Sequence, residues 1–151
     1  IDYQIYNDGT YLQHSMNYHR IVIQLMTWAI RLAELNDDRF KNSVYEKAQK
    51  SLQFLDTCLN PSDGNLPNYG HNDGALFFKF SDDDYRDYRS QLDDLRAVLE
   101  HKIAYHTESY SWYGIKNPTK VNHLYSGTFT FNCNSTFANI LIAFKLCPPR
   151  S

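Results

Sequence analysis

Two short segments hold most of the side chains able to do chemistry. SMNYHR places Asn17, Tyr18, His19 and Arg20 in a row, and LPNYGHNDGA sets Asn68, Tyr69, His71, Asn72 and Asp73 among turn-forming residues. Asn and Arg can hold a carboxylate, while Tyr or His can move a proton, so the set suits general acid–base chemistry on an anionic substrate. The chain has no nucleophile elbow, phosphate-binding loop, HExxH pair or CxxC pair, so hydrolysis by those routes has no support. Three cysteines, Cys58, Cys133 and Cys147, are too few and too scattered for a disulfide framework or a zinc site. No metal and no cofactor is expected.

The elements that must position these groups are mainly helices. From Ser15 to Asn36 the chain is apolar on nearly all sides and free of Pro and Gly, which predicts a long, largely buried helix. Along it Gln13, Asn17, Arg20, Gln24, Thr27 and Arg31 recur at spacings of three and four, so they form one polar stripe. The Gln24 to Arg31 part reads as a solvated face, and Asn17 with Arg20 as part of a site. His19 lies about 200° around the axis from Asn17, so both reach one pocket only if the helix begins near Asn17; otherwise it is a core or surface histidine. A second helix is predicted from Arg39 to Leu59 with Asp38 as N-cap, and a third from Asp83 or Asp84 to His101, opened by the acidic run SDDD. Tyr85, Tyr88, Leu92, Leu95 and Leu99 would line one face of that third helix. Between the two, Asn60 to Gly74 is rich in Pro, Gly, Asn and Asp and must be a connection, of a length that is usually functional or mobile.

Beyond SWYGIKNP the pattern changes. YSGTFTFNC (Tyr125 to Cys133) alternates, and FANILIAF (Phe137 to Phe144) is a short apolar run, so both read as strands joined at Asn134–Ser135. The fold class expected is therefore mainly α, built from antiparallel helical hairpins, with a short C-terminal antiparallel β segment. Two strands alone make a marginal sheet, so this segment must lean on the helices or belong to a larger β-domain.

Composition narrows the partners. The 151 residues suit one domain or a piece of something larger, and 42% hydrophobic against 21% charged residues is a globular balance. A formal net charge of −2 with no run of Lys and Arg argues against nucleic acid. Membrane insertion is not expected, since no window of about 18 uncharged apolar residues exists, and IDYQIYNDGT does not read as a signal peptide. Twelve tyrosines fit a surface that holds flat, hydroxylated ligands such as sugars, although most must serve as amphipathic core edge.

DGTYLQHSMNYHR (Asp8 to Arg20), WAIRLAELN (Trp28 to Asn36) and PNYGHNDGA (Pro67 to Ala75), in that order, resemble the heparinase II/III-like proteins, polysaccharide lyases and their relatives. The tail SGTFTFNCNSTFANILIAFKLCPPRS is similar to the opening of that family's C-terminal β-domain. The resemblance implies residues 1–118 as the last part of an α/α toroid and 119–151 as the first strands of a truncated β-sandwich. It implies a fragment of a lyase that cleaves a uronic-acid glycan by β-elimination, with an anionic polysaccharide and the remainder of the β-domain as partners. Asn17 would neutralise the substrate carboxylate, His19 would assist proton transfer, and Tyr69 would be the catalytic acid or base. Tyr18, Arg20, Asn68, His71, Asn72 and Asp73 would contact substrate. A further histidine of the family's β-domain has no counterpart here, so the isolated fragment would be inactive. By analogy the location is periplasmic or exported. Two other readings stay open: a glycan-binding or capsule-assembly protein without turnover, and a helical scaffold whose polar motifs serve packing.

Overall fold

The computed structural model describes residues 1–121. Its first helix, α1 (Met16–Leu35), starts where Ser15 leaves extended backbone and its hydroxyl accepts the Tyr18 N–H at 3.2 Å. That contact satisfies one of the four backbone donors a helix start leaves unpaired. At the other end Asp37 turns left-handed (φ 55°) and the Asp38 N–H returns to the Ala33 carbonyl at 2.8 Å, which stops the helix.

The next helix, α2 (Asn42–Cys58), begins later than its sequence pattern predicts. Asp38 does not cap it: the carboxylate accepts the neighbouring Arg39 N–H at 2.7 Å, and the helix opens at Lys41 without a side-chain cap. The third, α3 (Arg89–Glu100), also starts late, and SDDD is not its N-terminus. Asp84, the last of that run, and Asp87 beyond it stabilise the irregular chain before the helix instead. Asp84 accepts the Arg86 N–H at 2.8 Å and Asp87 the Arg89 N–H at 3.0 Å, each two residues on, a local bond that competes with helix.

Two short strands follow, β1 (Lys102–Ile103) and β2 (Thr119–Lys120). They pair in parallel, Lys102 beside Thr119 and Ile103 beside Lys120, which corrects the antiparallel expectation for the part of 119–151 that is described. Parallel pairing needs a crossover, and residues 104–118 supply it through a 3-10 helix, Ser109–Tyr113. The hairpin predicted at 125–133 and 137–144 lies outside the described residues.

The described chain is thus mainly helical with a small two-stranded parallel sheet. α3 is the central element, packing on α1, on α2 and on the 3-10 helix, with Ile23, Met26, Ile30, Leu52, Leu55, Leu92 and Leu95 filling the space between. A buried charge cluster joins the same parts. Arg96 on α3 pairs with Asp56 on α2 and, at 2.9 Å, with Asp93, which also accepts the backbone N–H groups of Ala104, Tyr105 and Thr107.

On α1 the polar stripe is buried at Gln24 and Thr27, against the expectation of a solvated face, and only partly exposed at Arg31. Gln24 is 3% exposed because the connection between α2 and α3 lies across it, and Thr27 is fully buried with its hydroxyl donating to the Ile23 carbonyl of its own helix at 2.8 Å. Several exposed positions are apolar, Leu25, Leu32 and Leu35 among them, alongside Glu34.

Candidate functional site

The connection is fastened to α1 mostly through its own backbone. The Met16 N–H donates to the Tyr69 carbonyl at 3.1 Å, and the Ser15 hydroxyl that caps α1 donates to the His71 carbonyl at 2.6 Å. Further along, Arg20 donates to the carbonyls of Ala75 (3.1 Å) and Tyr85 (2.6 Å). Gln24 then brackets the next turn, donating to the Phe78 carbonyl at 2.7 Å and accepting the Phe77 N–H at 3.0 Å. Residues 69–78 therefore run alongside α1 from its N-terminus toward its middle.

This ladder brings part of the two polar segments together. The Tyr18 hydroxyl donates to Asp73 Oδ2 at 2.6 Å, and Asn17 Nδ2 approaches Asp73 Oδ1 at 3.5 Å, a long and weak contact. Asn17 Oδ1 accepts both Arg20 Nη2 (2.8 Å) and the Tyr85 hydroxyl (2.7 Å). The same hydroxyl lies 2.8 Å from Asn72 Oδ1, and Asn72 Nδ2 donates to Asn68 Oδ1 at 3.3 Å. Asn17, Tyr18, Arg20, Asn68, Asn72, Asp73 and Tyr85 are thus one hydrogen-bonded cluster.

Arg20 is its floor. The guanidinium is buried between the rings of Tyr85 (4.3 Å) and Tyr88 (4.5 Å), and it has no carboxylate partner among the described residues. Carbonyl oxygens, one amide oxygen and two aromatic faces hold the charge instead. A buried cation is ordinarily paired, so this one leaves positive potential beneath Asn17.

The electrostatics of the surface pair follow. The Tyr18 hydroxyl, with the Ala75 N–H next in importance, holds the Asp73 carboxyl below its usual range. The same bond to a carboxylate pushes the Tyr18 phenol up, so it stays protonated and can act as a proton donor.

Other predicted residues lie elsewhere. His19 is 1% exposed on the far side of α1, between the rings of Tyr11 (5.9 Å) and Phe54 (5.8 Å). Neither ring nitrogen has a hydrogen-bond partner among the described residues, and burial pushes the imidazole down to about 3, leaving it neutral. The side chain of Tyr69 is half-buried against the hydrophobic core, and its backbone carbonyl is what meets α1. His71 is exposed and contributes its carbonyl to Ser15. Asp8–Gly9–Thr10 forms a turn pressed on α2, where a Cβ at Gly9 would lie 2.2 Å from the Lys50 carbonyl oxygen.

Tyr85, Tyr88 and Gln24 are the contributors sequence reasoning assigned elsewhere. For Gln24 the signal was the spacing of the polar stripe itself: Arg20 and Gln24 on a buried helix need acceptors, and the polar connection between α2 and α3 supplies them. Among the described residues no group of three or more His, Cys, Asp or Glu is placed to hold a metal ion, and no helix is long and apolar enough to cross a membrane. No family model, curated protein or solved structure matches the chain.

Proposed function

We propose that this chain carries the carboxylate-binding part of a polysaccharide lyase that cleaves a uronic-acid glycan by β-elimination, on a helical scaffold that is a segment of an α/α toroid. The observation that carries the reading is the clasp on Asp73: an amide and a phenol from adjacent residues meet one carboxylate above a buried, unpaired guanidinium. A uronate carboxylate makes the same demand. Neutralising it acidifies the C5 proton; a base then removes that proton, a C4–C5 double bond forms, and the glycosidic oxygen leaves with a proton.

In this reading Asn17, polarised by Arg20, neutralises the carboxylate, and Tyr18, an ordinary phenol that is protonated at neutral pH once Asp73 has left it, supplies the proton to the leaving oxygen. Substrate displaces Asp73 from both donors. Asn68, Asn72 and Tyr85 brace the clasp. The base comes from beyond the described residues, and for His19 or Tyr69 to supply it the N-terminal turn of α1 would have to rearrange.

A second reading has its own support. Asp73 already fills both donors, as in a protein that binds a glycan weakly, or by another face, without turnover. The deciding experiment follows the ultraviolet absorbance of unsaturated uronate when the protein bearing this chain meets a panel of uronate polymers. Asn17→Ala and Tyr18→Phe should each lower turnover by roughly 10²- to 10⁴-fold, the usual size of a lost acid or charge-stabilising group. Unchanged turnover in both variants would sink the assignment, and saturable binding without product would establish the second reading.

A further inference from the structure

Beyond the clasp, the connection continues along α1 as a column of rings. Trp28, Phe78, Phe80 and Trp112 stack face to face in that order, with centroid separations of 4.8, 5.3 and 5.4 Å and interplanar angles of 15°, 7° and 16°. Rings inside such a column have both faces covered. Trp28 and Trp112 end it: Trp28, on α1, is 37% exposed, while Trp112, with one face on Phe80, is 70% exposed.

The indole does not hang on a loose loop. Its 3-10 helix is anchored where the Ser109 hydroxyl donates to Asp94 and where Arg31 Nε on α1 donates to the Tyr113 carbonyl at 2.7 Å, and the Tyr113 ring packs edge-on against Phe80 at 5.7 Å. Arg31 Nη1 pairs with Glu34, while Nη2 lies 3.7 Å from where a Cβ at Gly114 would sit. A largely exposed indole on a rigid support, with the Arg31 guanidinium bound to the carbonyl of the next residue, Tyr113, offers the elements that an apolar C–H face and a carboxylate of a uronic-acid ring would need.

Position along the helix supplies the connection to the clasp. Asn17 and Arg31 are separated by about 21 Å of helix at 1.5 Å per residue, and the ladder through Arg20, Gln24 and Trp28 is continuous between them. Resting on the uronate reading above, we propose that Trp112, with Arg31, is a distal subsite that stacks a sugar several units away from the one held by Asn17 and Tyr18. A bound chain would lie along the 69–80 ribbon. Preorganisation of the ring by Phe80 means little ordering cost on binding.

The chain has only two tryptophans, so Trp28→Phe leaves Trp112 as the sole indole while keeping a ring in the column. That variant would be titrated with size-defined oligomannuronate, heparosan and hyaluronan oligosaccharides, with binding read in parallel by calorimetry. Long oligosaccharides should change Trp112 emission saturably, and disaccharides should not. Trp112→Ala should weaken long oligosaccharides by roughly tenfold, the size of one stacking contact, and leave disaccharides unaffected. Because the side chain is largely exposed, the substitution removes little packing. Calorimetric binding with unchanged emission, or equal losses for short and long ligands, overturns the subsite while leaving the uronate reading in place. No binding of any oligosaccharide overturns both.

Discussion

His19 and Asp94 make opposite demands on the fold as pH changes. Burial lowers the His19 imidazole from 6.5 to about 3, against a small upward pull from Asp8. Its stabilising contribution is fully present above 6.5, where both states are neutral, and is lost as pH falls and only the unfolded chain takes up a proton. Burial raises the Asp94 carboxyl from 3.8 to about 8, opposed by the Ser109 hydroxyl and reinforced by Asp93. Its contribution is present below 3.8 and is lost as pH rises toward 8. Between about 4 and 6.5 the two slopes, each about 1.4 kcal/mol per pH unit, cancel. His19→Leu should therefore make stability fall with rising pH in that window relative to the parent, and Asp94→Asn should make it rise. Urea unfolding across the window measures both, and parallel curves for parent and variants would refute the assignment. Tyr18 and Asp73 form the surface counterpart. Tyr18→Phe should let the Asp73 carboxyl titrate closer to its ordinary 3.8, seen in its side-chain carbon shift; an unmoved titration would show that the hydroxyl does not hold it.

At the scale of elements, the question is what keeps the 66–88 connection on α1. Gly70 and Gly74 both adopt left-handed backbone, φ 78° and 83°, yet their surroundings differ. A Cβ at Gly70 would lie 2.4 Å from the His14 carbonyl oxygen and 2.6 Å from Ser15 Cα, whereas one at Gly74 meets nothing within 4 Å. Gly74→Ala should cost about 1–2 kcal/mol of backbone strain and leave the connection seated. Gly70→Ala should lift it off the N-terminus of α1, breaking the Met16 to Tyr69 and Ser15 to His71 bonds. Hydrogen exchange at the Met16 amide separates the two, and equal protection in both variants would contradict the close approach. Much of this element was legible. The periodic apolar run set α1 to within a residue at each end, and the paired motifs located the two halves of the clasp. The sense of the polar stripe was not legible, since an amphipathic pattern shows which face is polar and not whether water or a neighbouring chain satisfies it. SDDD misled for a related reason: Asp84, the last of the run, and Asp87 just beyond it bond to backbone N–H groups two residues on, which reads in a sequence like a helix start and builds a turn instead. His19 near Asn17 could not be resolved without knowing that α1 begins at Met16, so that both residues lie within the helix and, two positions apart, face nearly opposite sides.

For the molecule as a whole, the clasp on α1 and the aromatic column near the 3-10 helix are held in one frame by α3. Arg96 is the joint: it is almost fully buried, and its partners Asp56 and Asp93 lie on α2 and on α3 itself. The Tyr105 hydroxyl adds a bond to Asp56 at 3.0 Å, and Asp93 gathers the N–H groups of Ala104, Tyr105 and Thr107, so the crossover leading to Trp112 is fixed by the same charges. Spread over residues 56 to 107, this network had no local sequence signature. Its value to stability is asymmetric. Replacing all the charges by apolar groups could be neutral, but removing the cation alone strands two carboxylates in the interior. Arg96→Met should therefore destabilise the fold by about 3–5 kcal/mol, read as a lower urea midpoint with an unchanged slope. The loss should begin locally, because Ala104 and Tyr105 depend on Asp93 while Asn17, Tyr18 and Asp73 do not. Hydrogen exchange should show the 104–107 amides opening before those of α1, and in the Trp28→Phe background Trp112 emission should shift at urea concentrations that leave the Tyr18–Asp73 pair intact. Simultaneous opening of both regions would mean that the clasp and the column belong to one cooperative unit held by the apolar core between α1 and α3, with the charge cluster contributing only to its total stability.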